Sequence, residues 1–248
     1  MKIDAQGLYY KELNQKIREA VAGGATTIEL EHVNGQYFIA DGINKPVTIT
    51  IRGVPGNDLA AFMNGATVVV NENAQDNIGN TMNAGKVVVH GHAGDVLGYG
   101  MRGGRLHIRK DVGYRVGIHM KSYQENKPVV IAGGKAGDFF GEYMAGGVLV
   151  LLGMFTDDPA KPKHGYLFGT GMHGGVIYVR GGVDVSRLAK EVGAYPLEAA
   201  DQVELEGLLA DYCKDFGLNL QEVMSEPFVK VLPKSKRPYG NMYCPMPK

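Results

Sequence analysis

The chain of 248 residues carries 26 basic and 26 acidic side chains, and this balance excludes a long-range electrostatic attraction to nucleic acid or to an anionic membrane. Its apolar runs are shorter than the roughly 18 residues of a membrane span, and its first residues lack the apolar core of a secretory signal. The two cysteines form no Cys-x-x-Cys pair, which argues against a disulfide framework, a zinc ribbon or an iron–sulfur cluster held by this chain alone, so we expect a cytoplasmic protein.

The first predicted element is an amphipathic helix near the N-terminus. Its apolar side chains recur every four residues, at Tyr9, Leu13, Ile17 and Val21, and the pattern ends at a pair of glycines, as at many helix C-termini. The segments TTIELE and QYFIA that follow indicate irregular early strands. We assign residues 1–46 to an N-terminal capping region whose helix covers the open strand edge of the structure that follows.

Residues 47–182 are dominated by a repeat that is centred on methionine. The first four copies are spaced by 19 residues and the last two follow after 24 and 28; the methionines are Met63, Met82, Met101, Met120, Met144 and Met172. Each has a small residue three positions before it, and short runs of Val, Ile and Leu follow, which are typical of strands. The longer steps contain polar insertions, including SYQEN and TDDPAKPKH.

The length of the repeat predicts a β-solenoid. Nineteen residues are too few for a βαβ unit of roughly 30 residues or a propeller blade of roughly 40, but they suit one coil whose strand stacks in parallel on the next. The alignment places two ladders in the interior: Val68, Val87, Leu106, Leu149 and Ile177, and then Val70, Val89, Ile108, Leu151 and Val179. A structural role is assigned to the repeated residues Gly79, Met82, Gly85, Gly98, Met101, Gly104, Gly141, Met144, Gly147, Gly169, Met172 and Gly175.

Two copies of the repeat, GYGMRGG and GTGMHGG, also match the G-x-G-x-x-G pattern of dinucleotide-binding loops. Such a loop opens a helix and is followed about 20 residues later by an acidic residue that binds ribose. Here the segments RLHIR and VIYVR follow the glycines, and both are typical of strands. We therefore interpret these glycines as solenoid corners and assign no cofactor-binding residue.

Histidines provide one set of candidate chemical groups. His90 and His92 are two positions apart near the end of a strand, so they share a face, but no third metal ligand accompanies them. We interpret them as exposed or corner residues and assign no metal site. His107 stands between Leu106 and Ile108, which are predicted to point inward, and is therefore expected to point outward.

Aspartates provide the other set. Asp76, Asp95 and Asp138 occupy one column of the repeat, and we expect them to bond the backbone of turns rather than to act as a glycosidase pair. Asp157 and Asp158 lie in the longest insertion and are expected to be in solvent. No catalytic residue is assigned.

Residues 183–248 are predicted to form C-terminal helices and an extended tail. Apolar positions from Leu188 to Tyr212 indicate helical structure, which we expect to cap the second end of the solenoid. The segment from Pro227 to Lys248 contains five prolines and no helical period, so it is expected to be extended.

The segments GEYMAGGVLVLLG and FGTGMHGGVIYVRG, at residues 141–153 and 168–181, resemble the C-terminal GXGXG domain of the glutamate synthase large (alpha) subunit. The resemblance extends over about residues 24–182. It implies a mainly β fold, a single-stranded right-handed parallel β-helix, here with flanking N- and C-terminal capping helices. In that family the domain carries no catalytic residue and braces the amidotransferase domain against the FMN and iron–sulfur synthase domain.

This chain lacks both enzymatic domains, so it resembles the stand-alone form of archaeal-type glutamate synthases. The resemblance implies a structural subunit that is inactive alone and has glutaminase-type and FMN synthase-type partner subunits. FMN and iron–sulfur clusters are then expected on the partners and no cofactor on this chain. Association of this chain with copies of itself is a further possible assembly.

Two alternatives remain at this point. The C subunit of formylmethanofuran dehydrogenase resembles the same repeat and also belongs to a larger redox complex. A solitary solenoid enzyme, such as an acyltransferase or a polysaccharide lyase, would need a histidine or carboxylate constellation on one face.

Overall fold

The computed structural model describes residues 1–235, and the strands of this part of the chain join in one sheet of eleven. The elements are β1 Lys2–Asp4, α1 Tyr10–Ala22, β2 Thr27–Asn34, β3 Thr48–Val54, β4 Asn64–Val70, β5 Ala84–Val89, β6 Arg105–Ile108, β7 Val129–Ala132, β8 Ala145–Leu151, β9 Gly174–Arg180, a 3-10 turn Val185–Arg187, β10 Val192–Pro196, α2 Ala199–Phe216, α3 Leu220–Val223 and β11 Phe228–Pro233. Among these residues no helix is both long and apolar enough to cross a membrane.

Strands β1 to β9 stack in chain order, each parallel to the next. The first inward ladder runs in register through Val68, Val87, Leu106, Val130, Leu149 and Ile177. The second runs through Val70, Val89, Ile108, Ala132, Leu151 and Val179. The β-solenoid and both predicted ladders are confirmed, and the coil of Met120 adds Val130 and Ala132 to them.

The repeated methionines and glycines pack against each other between neighbouring coils. All six methionines of the repeat are completely buried. A β-carbon added at Gly104 would lie 2.5 Å from Cε of Met82, in the coil before it, and Gly175 has the same relation to Met144. Gly104 also has a φ of +82°, which disfavours any side chain. The methyl group of each of these methionines therefore fills the space that the glycine of the next coil leaves open.

Helix α1 lies at the N-terminal end of the solenoid. Leu13 and Ile17 are buried in the same core cluster as the strand residues Ile28 and Ile49. The Asn14 side chain donates a hydrogen bond of 2.8 Å to the carbonyl of Tyr37. These contacts place the apolar stripe of α1 against the interior of the first coils, which is the position the sequence predicts.

The position predicted for the C-terminal helix is wrong. Helix α2 does not close the second end of the solenoid but lies along its outer face, where Leu205 and Leu209 pack with Val148 and Val150 of β8. Strands β7 to β9 are apolar on both faces, so their outer face must also be covered. Beyond β9 the sheet continues with β11 and β10, which pair antiparallel.

The predicted extended tail begins as β11 within the sheet. The remainder of that tail, residues 236–248, lies outside the described residues.

Candidate functional site

His107 lies in a buried polar cluster beneath α2. It points away from the solenoid interior, as predicted, but it is completely buried because α2 covers this face. The two neighbouring strands contribute outward side chains to the cluster, Lys86 from β5 and both Arg105 and His107 from β6. Helix α2 contributes Asp211 and Asp215. The two aspartates are four residues apart and so share one face of the helix.

Short polar contacts connect the cluster. Nδ1 of His107 lies 2.6 Å from Oδ2 of Asp215. Nζ of Lys86 lies 2.7 Å from a carboxylate oxygen of Asp211 and 3.0 Å from one of Asp215. Nε of Arg105 lies 3.5 Å from Asp211. The helix is thereby held to the outer face of β5 and β6 by ion pairs, and apolar packing holds it to β7, β8 and β9.

Burial determines the protonation of this cluster. Burial lowers the pKa of His107 by more than its hydrogen bond to Asp215 raises it. Burial raises the pKa of Asp215, but hydrogen bonds from His107 and Lys86 outweigh it and hold that pKa below the usual value. His107 is therefore neutral and donates its Nδ1 proton to an ionised Asp215, while its Nε2 is buried without a hydrogen-bond partner.

The same cluster contains three side chains of the types that ligate metals, His107, Asp211 and Asp215. One ligand atom each of His107, Asp211 and Asp215 lies within 4.8 Å of the other two. The ammonium group of Lys86 contacts both carboxylates, so the cluster already holds a cation of its own. The arrangement fits an anchor for α2 better than a metal centre, because a metal would have to displace this ammonium group.

His90 and His92 do not act together. The ring of His90 packs edge-on against Phe216 with 5.1 Å between centroids, and burial lowers its pKa. Nε2 of His92 lies 2.7 Å from Asp157, which also pairs with Lys110 at 2.9 Å. The longest insertion thus folds back onto the solenoid, and Asp157, expected in solvent, makes ion pairs although it is largely exposed.

The aspartate column bonds the turn backbone, as predicted. Oδ1 of Asp76 accepts a hydrogen bond of 2.8 Å from the backbone N–H of Asp95, one coil further along. Asp95 accepts from Tyr114 and Asp138 from Tyr166 in the same way. These carboxylates are committed to joining coils and are not arranged as a catalytic pair.

The glycines of the two G-x-G-x-x-G segments form corners, as interpreted from the sequence. Gly98 has a φ of +68°, and a β-carbon there would lie 3.2 Å from a methyl group of Val130. Strand β6 begins directly after Gly104, and β9 includes Gly174 and Gly175. The geometry of a glycine loop that opens a helix is therefore not formed at either segment.

Sequence reasoning missed Lys86, Arg105, Asp211 and Asp215. Two signals could have indicated them. Lys86 and Arg105 occupy the same column at the start of successive strands, and Asp211 and Asp215 are one helical turn apart. The acidic face of the helix, Asp211 and Asp215, complements the basic column of the sheet, Lys86 and Arg105.

Comparison with known proteins gives three findings. A family model described as "GXGXG motif" matches residues 11–235. The uncharacterized protein MJ1350 of Methanocaldococcus jannaschii is 48% identical over 251 residues, covering 98% of this chain and 96% of that protein. A chain of the formyltransferase/hydrolase complex FhcABCD from Methylorubrum extorquens, solved with methylofuran, matches with a TM-score of 0.62 and 20% identity over 82% of this chain and 71% of that chain. At this identity the likeness shows the fold alone.

Proposed function

This chain belongs to the GXGXG motif family, and on that basis we propose that it is a non-catalytic structural subunit of a cytoplasmic multi-subunit enzyme complex. Its repeated residues are engaged in joining coils, and its buried cluster anchors a helix. A chain of this kind contributes to a reaction by holding other polypeptides in a fixed relation, which shortens the path of intermediates between active sites.

The observation that carries this proposal is an exposed apolar ridge along the solenoid. We define the ridge as the segment of six residues before each repeat methionine. Large apolar side chains there are exposed: Phe62 is 54%, Tyr114 is 52% and Tyr166 is 57% accessible to solvent. Aromatic side chains are enriched at protein interfaces relative to the rest of a protein surface. The ridge is therefore the surface we assign to partner subunits.

Ring contacts between coils order part of the ridge. The ring of His119 stacks on Tyr143 with 5.3 Å between centroids and contacts Tyr99 edge-on at 5.8 Å. Arg115 lies over the ring of Phe139. Side chains held in this way lose less conformational freedom on binding, which suits a docking surface.

The first candidate assembly is a complex of the formylmethanofuran dehydrogenase or formyltransferase/hydrolase type. Its support is the likeness in fold to a chain of FhcABCD, which is itself a multi-subunit complex. This likeness favours that type of assembly over glutamate synthase.

The second candidate is glutamate synthase, favoured by the residues of the GEYMAGGVLVLLG segment. In that assembly the partners would be glutaminase-type and FMN synthase-type subunits, and the partners would carry the FMN and the iron–sulfur clusters. This chain would brace the two so that ammonia passes between them.

Co-purification tests the proposal and separates the assemblies. The tagged full chain is co-expressed with each set of candidate subunits from its own genome, and we expect one set to be retained. Tyr114→Ser with Tyr166→Ser should weaken retention without lowering the melting temperature. The control Tyr195→Ser, at an exposed tyrosine outside the ridge, should not. Turnover by the isolated chain, or retention of neither set, would contradict the proposal.

A further inference from the structure

The insertion in the coil of Met120 builds one wall of a pocket. Tyr123 and Asn126 exchange two backbone hydrogen bonds of 3.0 Å, so the insertion is a tight hairpin turn. The turn packs closely on the solenoid, because a β-carbon at Gly103 would lie 3.4 Å from Cβ of Asn126 and one at Gly146 would lie 2.6 Å from the backbone nitrogen of Ser122. The insertion therefore has a defined position above the coils beside it.

The opposite wall is a column of polar side chains. Asn83, Arg102 and Lys121 each follow a repeat methionine, and each donates its backbone N–H to the carbonyl of the methionine one coil before. With Tyr123 and Asn126 they line a pocket of about 350 Å³. A pocket of this volume is large enough for a small organic ligand.

The charges of this pocket are unbalanced. No carboxylate lines it, and among residues 1–235 neither Arg102 nor Lys121 forms an ion pair, whereas the neighbouring Lys86, Arg105 and Lys127 all do. Two cations in one column of adjacent coils lie about 4.8 Å apart at the backbone, and like charges placed in this way repel. An anion between them would remove this repulsion.

We propose that this pocket binds a small phosphate-type anion, either free phosphate or the phosphate group of a small ester. The guanidinium of Arg102 offers a planar fork of donors and the ammonium of Lys121 offers three more, which together suit an oxyanion with two or more charged oxygens. The side-chain amide of Asn126 adds a neutral donor, and that of Asn83 donates one N–H to the carbonyl of Thr81 and has a second N–H for a ligand. The Tyr123 ring provides a surface for the organic part of an ester.

Calorimetric titration of the full chain at fixed ionic strength tests the proposal, with inorganic phosphate and glycerol phosphate as probes. We expect saturable binding of a probe by the wild type and binding weaker by about tenfold or more in Arg102→Gln with Lys121→Gln, because each charged hydrogen bond is worth more than one factor of ten. Tighter binding of glycerol phosphate identifies an ester as the ligand class, and tighter binding of inorganic phosphate identifies the free ion.

The matched control replaces two exposed cations elsewhere, Lys45→Gln with Lys214→Gln, and removes the same net charge. It should bind as the wild type does. All four positions are exposed, so unchanged melting temperatures are expected and show that the variants fold. Equal weakening in both double variants, unchanged binding in the pocket variant, or no binding by the wild type would overturn the proposal.

Discussion

At the scale of single residues, the repeat depends on contacts between methionine, which has a flexible side chain, and glycine, which has none. Met82 reaches into the space above Gly104, and Met144 into that above Gly175. A thioether side chain without branches fits such a narrow space in more than one rotamer. The conspicuous glycines of the sequence are thus packing partners of methionine, which explains why they imitate a nucleotide-binding motif without forming one.

Met101→Asp should destabilise the protein by several kcal/mol, because it buries an unpaired charge in the core. Met101 is completely buried, whereas Val203 on α2 is 74% exposed. Val203→Asp is therefore the matched control and should change the stability by less than about 0.5 kcal/mol. Chemical denaturation of both variants measures the difference, and equal free energies of unfolding would refute the assignment of inward and outward positions.

At the scale of elements, α2 is held by two kinds of contact at different places along its length. Leu205 and Leu209 pack on β8, whereas Asp211 and Asp215 pair with the basic side chains of β5 and β6. The helix thus spans the outer face of several coils. Its attachment should respond to pH through His107, the buried titratable group between Lys86, Tyr212 and the two aspartates.

His107→Asn should remove a pH-dependent loss of stability. Because the pKa of His107 in the folded protein lies below the ordinary value of 6.5, the unfolded chain takes up this proton first. The contribution of His107 to stability is therefore fully present above pH 6.5 and decreases as the pH falls below it. Melting temperatures across this range should fall less steeply in the variant. The control His32→Asn, at an exposed histidine, should keep the wild-type slope, and identical slopes for wild type and His107→Asn would contradict the assignment.

The solenoid could be predicted from the sequence because many positions of its repeat share a residue type. The position of α2 could not be predicted. The spacing of Leu205, Leu208 and Leu209 shows that the helix has an apolar face, but amphipathicity does not say which surface that face covers. The strand sequences contain the information that locates the covered surface. VVIA in β7 and VLVL in β8 are apolar at successive positions, so both faces of the sheet are buried, as in sheets covered on two sides.

At the scale of the whole molecule, the fold is a chain of coils in which each contacts mainly its neighbours. Strand pairing follows chain order from β1 to β9, and the Asx hydrogen bonds also run from one coil to the next. The N-terminal coils β3 and β4 lie outside the region that α2 covers, because the contacts of α2 begin at Lys86 of β5. The coil of β4 can therefore be removed without the loss of a contact to α2.

Deleting the 19 residues Met63–Thr81 should leave a folded, shorter solenoid. The deletion joins Phe62 to Met82, which reproduces a corner followed by a repeat methionine. Asn57 loses the N–H of Asp76, and Asp95 loses the Oδ1 of Asp76, so these two freed groups can pair with each other. Nearest-neighbour stacking predicts cooperative thermal unfolding with a moderate loss of stability.

Deleting only the nine residues Met63–Asn71 removes β4 but leaves two corners in succession, which shifts every later inward column out of alignment. Circular dichroism should then show intact β structure for the first deletion and not for the second. Equally well-folded products would mean that the spacing of 19 residues does not set the coil.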